Sequence, residues 1–180
     1  MQKITKIETE RLILRSWREE DVEIFFEINN DEKVIEFLPK ALNRQECQNF
    51  INKENAQIAQ KGFGLWACEL KKNNELIGFV GLGIPNFESH FTPCVEIGWR
   101  LSFKHWGNGY ATEAAKMALE IGFENFGFKE IVSFTATQNL RSIAVMQKIG
   151  MTRDKNGDFN HPKLPSEHAL SRHVLYRIYG

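Results

Sequence analysis

The chain has 180 residues, of which 42% are hydrophobic and 26% charged, and 23 basic residues balance 23 acidic ones. This length and composition predict one globular domain over residues 1–180 with a full hydrophobic core. The neutral net charge disfavours nucleic acid or an anionic membrane as a partner, and no apolar run approaches the ~20 residues that span a bilayer.

Periodic apolar residues in the first half of the chain predict two helices and three strands. Asn43, with Glu46 three residues later, has the pattern of a capping box at the start of the second helix. Asn73 and Asn74 separate two apolar runs and predict a hairpin turn between strands. The predicted elements are a strand over residues 8–16, a helix over 21–30, a helix over 43–62 and strands over 63–71 and 75–84.

The second half of the chain alternates strands and helices. This βαβα order favours an α/β protein of the α+β type, with a mixed sheet and helices on its faces. Polar residues and prolines mark two loops within it. The elements are, in chain order, a loop over 85–93, a strand over 95–103, a helix from 109, a strand over 131–137, a helix from 139, a loop over 156–171 and a strand over 173–179.

The turn that leads into the helix from residue 109 has the features of an anion site. Gly107 and Gly109 let the main chain approach a phosphate without a Cβ in the way. The helix start adds unpaired N–H groups and the positive end of a dipole. Lys104 can act as a point charge, and Thr112 can add a hydroxyl. The candidate ligands are Lys104, Gly107, Asn108, Gly109, Tyr110, Ala111 and Thr112, and a turn without a ligand is the alternative.

The same turn carries a family resemblance. The run from Lys104 to Ala111, Lys-His-Trp-Gly-Asn-Gly-Tyr-Ala, resembles the acetyl-coenzyme A pyrophosphate loop of the GNAT (GCN5-related) N-acetyltransferases, with lysine where arginine or glutamine is usual. The longer run Trp-Gly-x-Gly-Tyr-Ala-Thr-Glu-Ala is similar to the RimJ/RimL-like branch. The segment from Asn139 to Ser142 and the opening Glu-Arg-Leu-Ile-Leu-Arg over 10–15 extend the resemblance to about residues 8–154.

The resemblance implies the family's fold, a central twisted mixed β-sheet flanked by helices, and its reaction. The acetyl group of acetyl-coenzyme A would pass to a primary amine by direct attack, without an acyl-enzyme. It also implies that Asn139 binds the pantetheine amides and that Ser142 protonates the leaving thiolate. Asn139 can also be a simple helix cap. Met146 stands where many members have a tyrosine as the acid, so the acid role moves to Ser142 or solvent.

The strand over 95–103 supplies the other cofactor candidates and a base. Gly98, Trp99 and Leu101 would bind the cofactor, the first two offering backbone groups to the acetyl carbonyl, as this strand does in the family. A neutral amine requires a base or a water relay. Glu96 alternates with the apolar residues of this strand, and the family often keeps a glutamate there. His90 and Glu88, in the preceding loop, are the alternatives.

The acceptor is expected to bind among aromatic and histidine side chains. The loops over 85–93 and 156–171 can reach the reaction centre, and both carry such residues. The candidates are Trp66, Phe87, His90, Trp99 and His161, and for the tryptophans and the phenylalanine a position in the buried core is the alternative. The acceptor itself stays open between a protein N-terminus and a small-molecule amine, and a catalytically inactive, coenzyme A-binding regulatory or scaffold domain is the alternative function.

Cysteines and histidines bear on metal binding and compartment. The three cysteines are scattered, which is typical of reduced thiols in a cytosolic protein. Histidines at 161, 168 and 173 do not have the spacing of a helical zinc pair. No apolar signal region is found at the N-terminus. We therefore expect a cytoplasmic protein, a monomer or homodimer, that binds no metal.

Overall fold

The computed structural model describes residues 6–180, so the first five residues of the predicted domain lie outside the described residues. Within this range nine strands form one mixed sheet. They are β1 (Lys6–Glu8), β2 (Leu12–Arg15), β3 (Leu65–Leu70), β4 (Glu75–Gly83), β5 (Glu96–Leu101), β6 (Glu130–Ala136), β7 (Thr152–Arg153), β8 (Phe159–Asn160) and β9 (Arg172–Tyr179). The strand order is β1-β2-β3-β4-β5-β6-β9-β7, with β8 paired to β9.

Five helices flank the sheet in the described part of the chain. They are α1 (Asp21–Ile28), α2 (Glu32–Ile35), α3 (Arg44–Lys61), α4 (Tyr110–Glu124) and α5 (Leu140–Lys148). The predicted capping box is present, because Asn43 and Glu46 each accept a hydrogen bond from the other's backbone N–H. Gly62 ends α3 in the left-handed conformation at φ 81°. The predicted mixed α/β fold is confirmed.

The helices lie on opposite faces of the sheet. Neighbouring residues of one strand point to opposite faces, and in β4 Val80 packs in the core beneath α4 and α5, whereas Phe79 packs in a second core beneath α1 and α3. The small residues predicted on α4 allow close packing on the sheet. At Gly122 a Cβ would lie 2.7 Å from Ile131 Cδ1, so a side chain there would push the helix away.

The sheet opens between β5 and β6, its one parallel strand pair in the described range. Only Glu96 and Val132 pair in register, next to a 2.9 Å hydrogen bond from Val132 N to Val95 O. One step further the Ser133 hydroxyl, not a strand amide, donates to Ile97 O at 2.9 Å. Beyond this point the strands diverge, which leaves a gap beside the second half of β5.

Five details differ from the sequence prediction, and one of them is the two-residue strand β7, which was not predicted. The strand predicted over 8–16 is a hairpin, β1–β2, that turns at Thr9, where the backbone and hydroxyl both bond Leu12. The four-residue α2, capped by Asp31, was not predicted. The strand predicted to 103 ends at Leu101 and continues as a 3-10 turn over Phe103–His105. The loop predicted over 156–171 contains β8. No helix among residues 6–180 is long and apolar enough to cross a membrane.

Candidate functional site

A cleft of about 360 Å³ lies at the gap, between the N-termini of α4 and α5 and the α2 segment. The first turns of the two helices form its walls, and the second half of β5 forms its base. Nine residues predicted to bind the cofactor line it together, although they come from β5, α4 and α5: Trp99, Leu101, Gly107, Gly109, Tyr110, Ala111, Thr112, Asn139 and Ser142.

The turn before α4 presents free main-chain amides to this cleft. Gly107 and Gly109 have φ angles of 78° and 80°, in the left-handed region that favours glycine. Gly109 is the N-cap and offers no side-chain acceptor; the first bonded amide is that of Glu113, 3.0 Å from Gly109 O. The three preceding amides of α4 have no acceptor among the described residues, which suits a bound pyrophosphate.

A carboxylate from α4 fixes the position of this turn. Glu113 accepts hydrogen bonds from the Thr9 hydroxyl at 2.6 Å, from Arg11 N at 2.9 Å and from Arg11 Nε at 2.6 Å. Burial alone would raise the pKa of Glu113, but these hydrogen bonds outweigh it and lower the pKa. Arg11 also donates to Asn108 O at 3.0 Å and lies 4.6 Å from the Tyr110 ring. The β1–β2 hairpin therefore braces the start of α4.

Two of the predicted phosphate ligands have other partners. Lys104 Nζ lies 2.5 Å from Glu75 Oε1, with its side chain 67% exposed, and does not line the cleft. The Asn108 side chain donates to the carbonyls of His105 and Trp106, both at 3.1 Å, and so shapes the turn instead of facing a ligand. A role for Lys104 at a phosphate would require that it leave Glu75.

Four cations that line the cleft were missed by the sequence analysis, and one of them is Arg100 of β5. Lys33, Arg141 and Lys148 reach it from α2 and α5, which are distant in sequence from the glycine turn. Arg141 is ion-paired with Glu36 and lies 4.7 Å from the Trp106 ring, so it links α5 to the segment that follows α2. These positive charges complement the amides of α4 as an anion site.

The start of α5 supplies a cap and a free hydroxyl. Asn139 Oδ1 accepts from Ser142 N at 3.2 Å, and Asn139 Nδ2 donates to Thr135 Oγ1 at 3.0 Å, so the capping role is present. Ser142 Oγ accepts a 3.2 Å hydrogen bond from Trp99 Nε1, which leaves its own hydrogen available to donate. Met146 is 1% exposed and packs in the core, and its side chain does not line the cleft.

Glu96 points to the other face of the sheet. It alternates with Ile97 and Trp99, which pack on the α4 side. Its carboxylate is half-buried and has no hydrogen bond or ion pair within residues 6–180. Burial raises the pKa of Glu96 to about 7, with smaller opposing effects from Lys53 and Lys163. The alternative bases, His90 and Glu88, are exposed.

The acceptor candidates divide into three places. Trp66 has 0% exposure and belongs to the core, so the structure gives it a packing role and not a lining one. Trp99 lines the cleft. Phe87 and His161 bring the loops 85–93 and 156–171 together, with ring centroids 4.8 Å apart, in a cluster that includes Phe91, Phe134 and Phe159. His90 contacts the edge of this cluster.

Burial lowers the pKa of His161 to about 4, with the neighbouring His173 and Lys163 acting in the same direction. Its ring is therefore neutral near pH 7 and serves as an aromatic surface. Among residues 6–180 no group of three or more histidine, cysteine, aspartate or glutamate side chains is arranged to hold a metal ion.

Residues 11–152 match the family model described as an acetyltransferase (GNAT) domain. The uncharacterized N-acetyltransferase YnaD of Bacillus subtilis (strain 168) is 30% identical over 149 residues, which cover 82% of this chain and 83% of that protein. The FsC-acetyl coenzyme A-N(2)-transacetylase of Aspergillus fumigatus is 36% identical over 128 residues, which cover 69% of this chain and 53% of that protein.

The crystal structure of a GNAT-family acetyltransferase from Bacillus anthracis has the same fold, with a TM-score of 0.79 at 29% identity over 97% of this chain and 98% of that one. These similarities agree with the two helix starts that meet at the open pair of strands. The chain belongs to the GNAT acetyltransferase family and is an acetyl-coenzyme A-dependent acyltransferase.

Proposed function

We propose that the protein is an N-acetyltransferase that acetylates a primary amine, either a protein N-terminus or the amine of a small molecule. The observation that carries this proposal is the arrangement of three groups about β5, two of which line the cleft while the third lies on the opposite face of the strand. These are the free amides of α4, the Ser142 hydroxyl beside Trp99, and the Glu96 carboxylate on the opposite face.

The donor is held by main-chain and cationic groups. The amides at the start of α4 suit the pyrophosphate of acetyl-coenzyme A, and Arg141 and Lys148 supply positive charge at the same cleft. At Gly107 a Cβ would meet no atom within 4 Å, so the turn leaves open space for a phosphate. The pantetheine arm would then pass Asn139 toward the gap in the sheet.

The reaction removes two protons from the acceptor nitrogen and adds one to the leaving sulfur. The acceptor arrives as an ammonium ion and gives one proton to Glu96, whose pKa near 7 suits a base at neutral pH. The amine nitrogen attacks the acetyl carbonyl carbon, the C–N bond forms and the C–S bond breaks. The thiolate takes a proton from Ser142, and the nitrogen loses its second proton to solvent. Solvent then returns a proton to the Ser142 oxygen, and Glu96 releases its proton to solvent before the next turnover. The products are the acetamide and free coenzyme A.

Release of free thiol from acetyl-coenzyme A, measured with a panel of peptides and small amines, tests this function. We expect thiol release that depends on an amine, with a mass gain of one acetyl group on that amine. If the protein binds coenzyme A but acetylates no amine in the panel, the inactive, coenzyme-binding domain becomes the better description.

A further inference from the structure

One face of β5 carries a carboxylate, a glycine and a guanidinium at alternate positions. Glu96, Gly98 and Arg100 point to the α1–α3 side, because the intervening Ile97 and Trp99 pack on the α4 side. Along a strand, two residues advance by ~7 Å. A basic and an acidic side chain therefore stand on either side of a position that has no side chain, next to the gap in the sheet.

The glycine at the centre is not required by packing or by backbone conformation. Gly98 has no positive φ, and a Cβ there would meet only Glu96 Oε1 at 3.5 Å and Leu65 Cδ2 at 3.9 Å, both ordinary contacts. By contrast, a Cβ at Gly81, its neighbour on β4, would lie 2.1 Å from Gly64 O. A strand glycine without such a constraint is typical of sites where a ligand approaches the backbone closely.

Arg100 is a half-buried cation without a carboxylate. Its Nη1 donates to Asn29 Oδ1, a neutral acceptor, and its guanidinium carbon lies 5.5 Å from the Phe79 ring centre. Asn29 is 0% exposed and donates to Phe25 O at 2.6 Å, so its oxygen is held toward the arginine. No acidic side chain in residues 6–180 lies within 4 Å of this guanidinium. Burial lowers the pKa of Arg100 to about 10, so the group stays charged at neutral pH.

Arg15, a buried arginine in the same half of the sheet, has its charge balanced by carboxylates. Arg15 pairs with Asp21 and Glu69, each at 2.7 Å, on the same side of the molecule. A buried charge is costly unless it is paired, and here the fold supplies two carboxylates. Arg100 has four further N–H donors beyond the one that Asn29 accepts, and it lines the cleft.

We propose that Arg100 binds an oxyanion of the acceptor, so that the protein acetylates small amines that also carry a carboxylate or a phosphate. The amine would lie over Gly98, beside Glu96, and the oxyanion would lie two residues further along β5. This inference rests on the proposed N-acetyltransferase function. It adds a specificity determinant, because a neutral amine of the same shape would leave the guanidinium unpaired.

Matched pairs of acceptors test the proposal with the intact protein. Amino acids and short dipeptides would be compared with their carboxamides, and aminoalkyl phosphates with the corresponding alcohols, in the thiol-release assay. We expect the anionic member of a pair to have a KM about 10- to 100-fold lower, the range of one charge-assisted contact. The carboxylate and phosphate arms identify which oxyanion is preferred.

Variants assign the effect to this residue. Arg100→Gln should raise the KM of the anionic acceptors by the same factor. The KM of their neutral partners should stay unchanged, as should the Kd of acetyl-coenzyme A measured by calorimetry. Arg44→Gln is the control, since Arg44 also lies over an aromatic ring, 4.0 Å from that of Phe26, but is outside the cleft. Gly98→Ala keeps the backbone groups and should raise KM for every acceptor.

Three outcomes contradict the proposal. Neutral and anionic partners could be acetylated equally well by the unmodified protein. Arg100→Gln could weaken acetyl-coenzyme A instead of the acceptor, which would assign the arginine to the donor. If no amine at all were acetylated, the proposed N-acetyltransferase function would be overturned too. The first two outcomes contradict only the role of Arg100. If Arg100→Gln fails to fold, the paired acceptors and Gly98→Ala still decide.

Discussion

The two sides of β5 use different kinds of chemical group. On the α4 side, the anion site consists mainly of main-chain amides, which Gly107 and Gly109 turn toward the cleft. On the α1–α3 side, where we propose that the acceptor binds, Glu96 and Arg100 present side chains, and the loops over 85–93 and 156–171 carry aromatic rings. Main-chain groups remain in place after most substitutions, whereas a single substitution can alter a site built from side chains. Donor binding should therefore be robust, and acceptor preference easily altered.

Charge separates the two sides as well. The donor side gathers positive groups from α2, α4 and α5, as an anion site requires. The acceptor side presents one carboxylate and one guanidinium, neither of which pairs with an opposite charge in the described range. Single substitutions on either side of β5 therefore test this division.

The largest effect is expected from a side chain in the turn before α4. Gly109→Val places a β-branched residue at φ 80°, within the turn whose amides would bind the phosphates. The Kd of acetyl-coenzyme A should rise by about 100-fold or more, since several charge-assisted contacts are lost together. The strain should also lower the free energy of unfolding by ~1–3 kcal/mol. Calorimetric titration and thermal unfolding measure the two quantities.

Gly127→Val is the matched control for this change. Gly127 has φ 65°, is exposed, and a Cβ there meets nothing within 4 Å. The control should show the same kind of strain and unchanged donor affinity. Equal affinities in the two variants would remove the turn from the donor site, and main-chain recognition would then fail as an account of that side.

A smaller effect, confined to turnover, is expected from the hydroxyl at the gap. Ser142→Ala removes the proton donor and should lower kcat by ~10²-fold, while the Kd of acetyl-coenzyme A stays nearly unchanged. The Asn139 cap is preserved, because it bonds the backbone N–H of residue 142. Steady-state kinetics and titration separate the two. Equal losses of affinity and turnover would indicate that the serine only supports the helix start.

The donor side shows which features a sequence can reveal. The caps of α3 and α5 and the glycines before α4 act within a few residues, so their spacing predicted them correctly. Asn139 was predicted both as a cap and as a ligand of pantetheine, and the structure shows the cap. A cap by asparagine and a left-handed turn at glycine depend on residues close in sequence, so the local sequence is enough to predict them.

The features that were missed depend on contacts between distant segments. The hairpin at Thr9 is fixed by Glu113, 104 residues away, so the local pattern indicated a continuous strand. The segment after α2 is held beside the cleft by the ion pair between Glu36 and Arg141. Trp66 is an aromatic residue of the kind that often lines pockets, but in the structure it is fully buried in the core. Arg100 becomes conspicuous only because no carboxylate lies beside it, which no spacing can show.

The pH dependence of the reaction tests the acceptor side. Glu96 must be ionised to accept a proton, and burial raises its pKa to about 7. The rate should therefore rise with pH through about 7, and Glu96→Gln should lower the rate ~10²-fold and abolish this acidic limb. Glu88→Gln, in an exposed loop position, is the control and should retain it. An acidic limb that survives in Glu96→Gln would transfer the base role to His90, Glu88 or water.

The same substitution has a measurable effect on stability. The folded pKa of Glu96 lies above its value of 4.5 in an unfolded chain, so ionisation is costlier in the folded state. This penalty is absent below pH 4.5, grows between 4.5 and 7, and is complete above 7. Glu96→Gln should consequently raise the melting temperature at pH 8 and not at pH 4. Equal shifts at both pH values would indicate a packing effect.

The smallest effect is expected where the aromatic rings meet. His161→Ala removes a ring whose centre lies 4.8 Å from that of Phe87 and 5.0 Å from that of His173. The contact between His161 and Phe87 joins the two loops. If these loops border the acceptor, its KM should change by roughly two- to fivefold, the range of one aromatic contact. The KM of acetyl-coenzyme A should stay the same. Because burial keeps this ring neutral above about pH 4, the change should not vary between pH 6 and 8.

His168→Ala separates loop structure from acceptor contact. His168 lies in the same loop and accepts a similar local bond, from Leu170 N at 3.1 Å, as His161 does from Lys163 N at 3.3 Å. The ring of His168 is not in the aromatic cluster, so its loss should leave the ranking of accepted amines unchanged. If both variants leave that ranking intact, the acceptor does not touch the loops, and the face of β5 between Glu96 and Arg100 must determine selectivity alone.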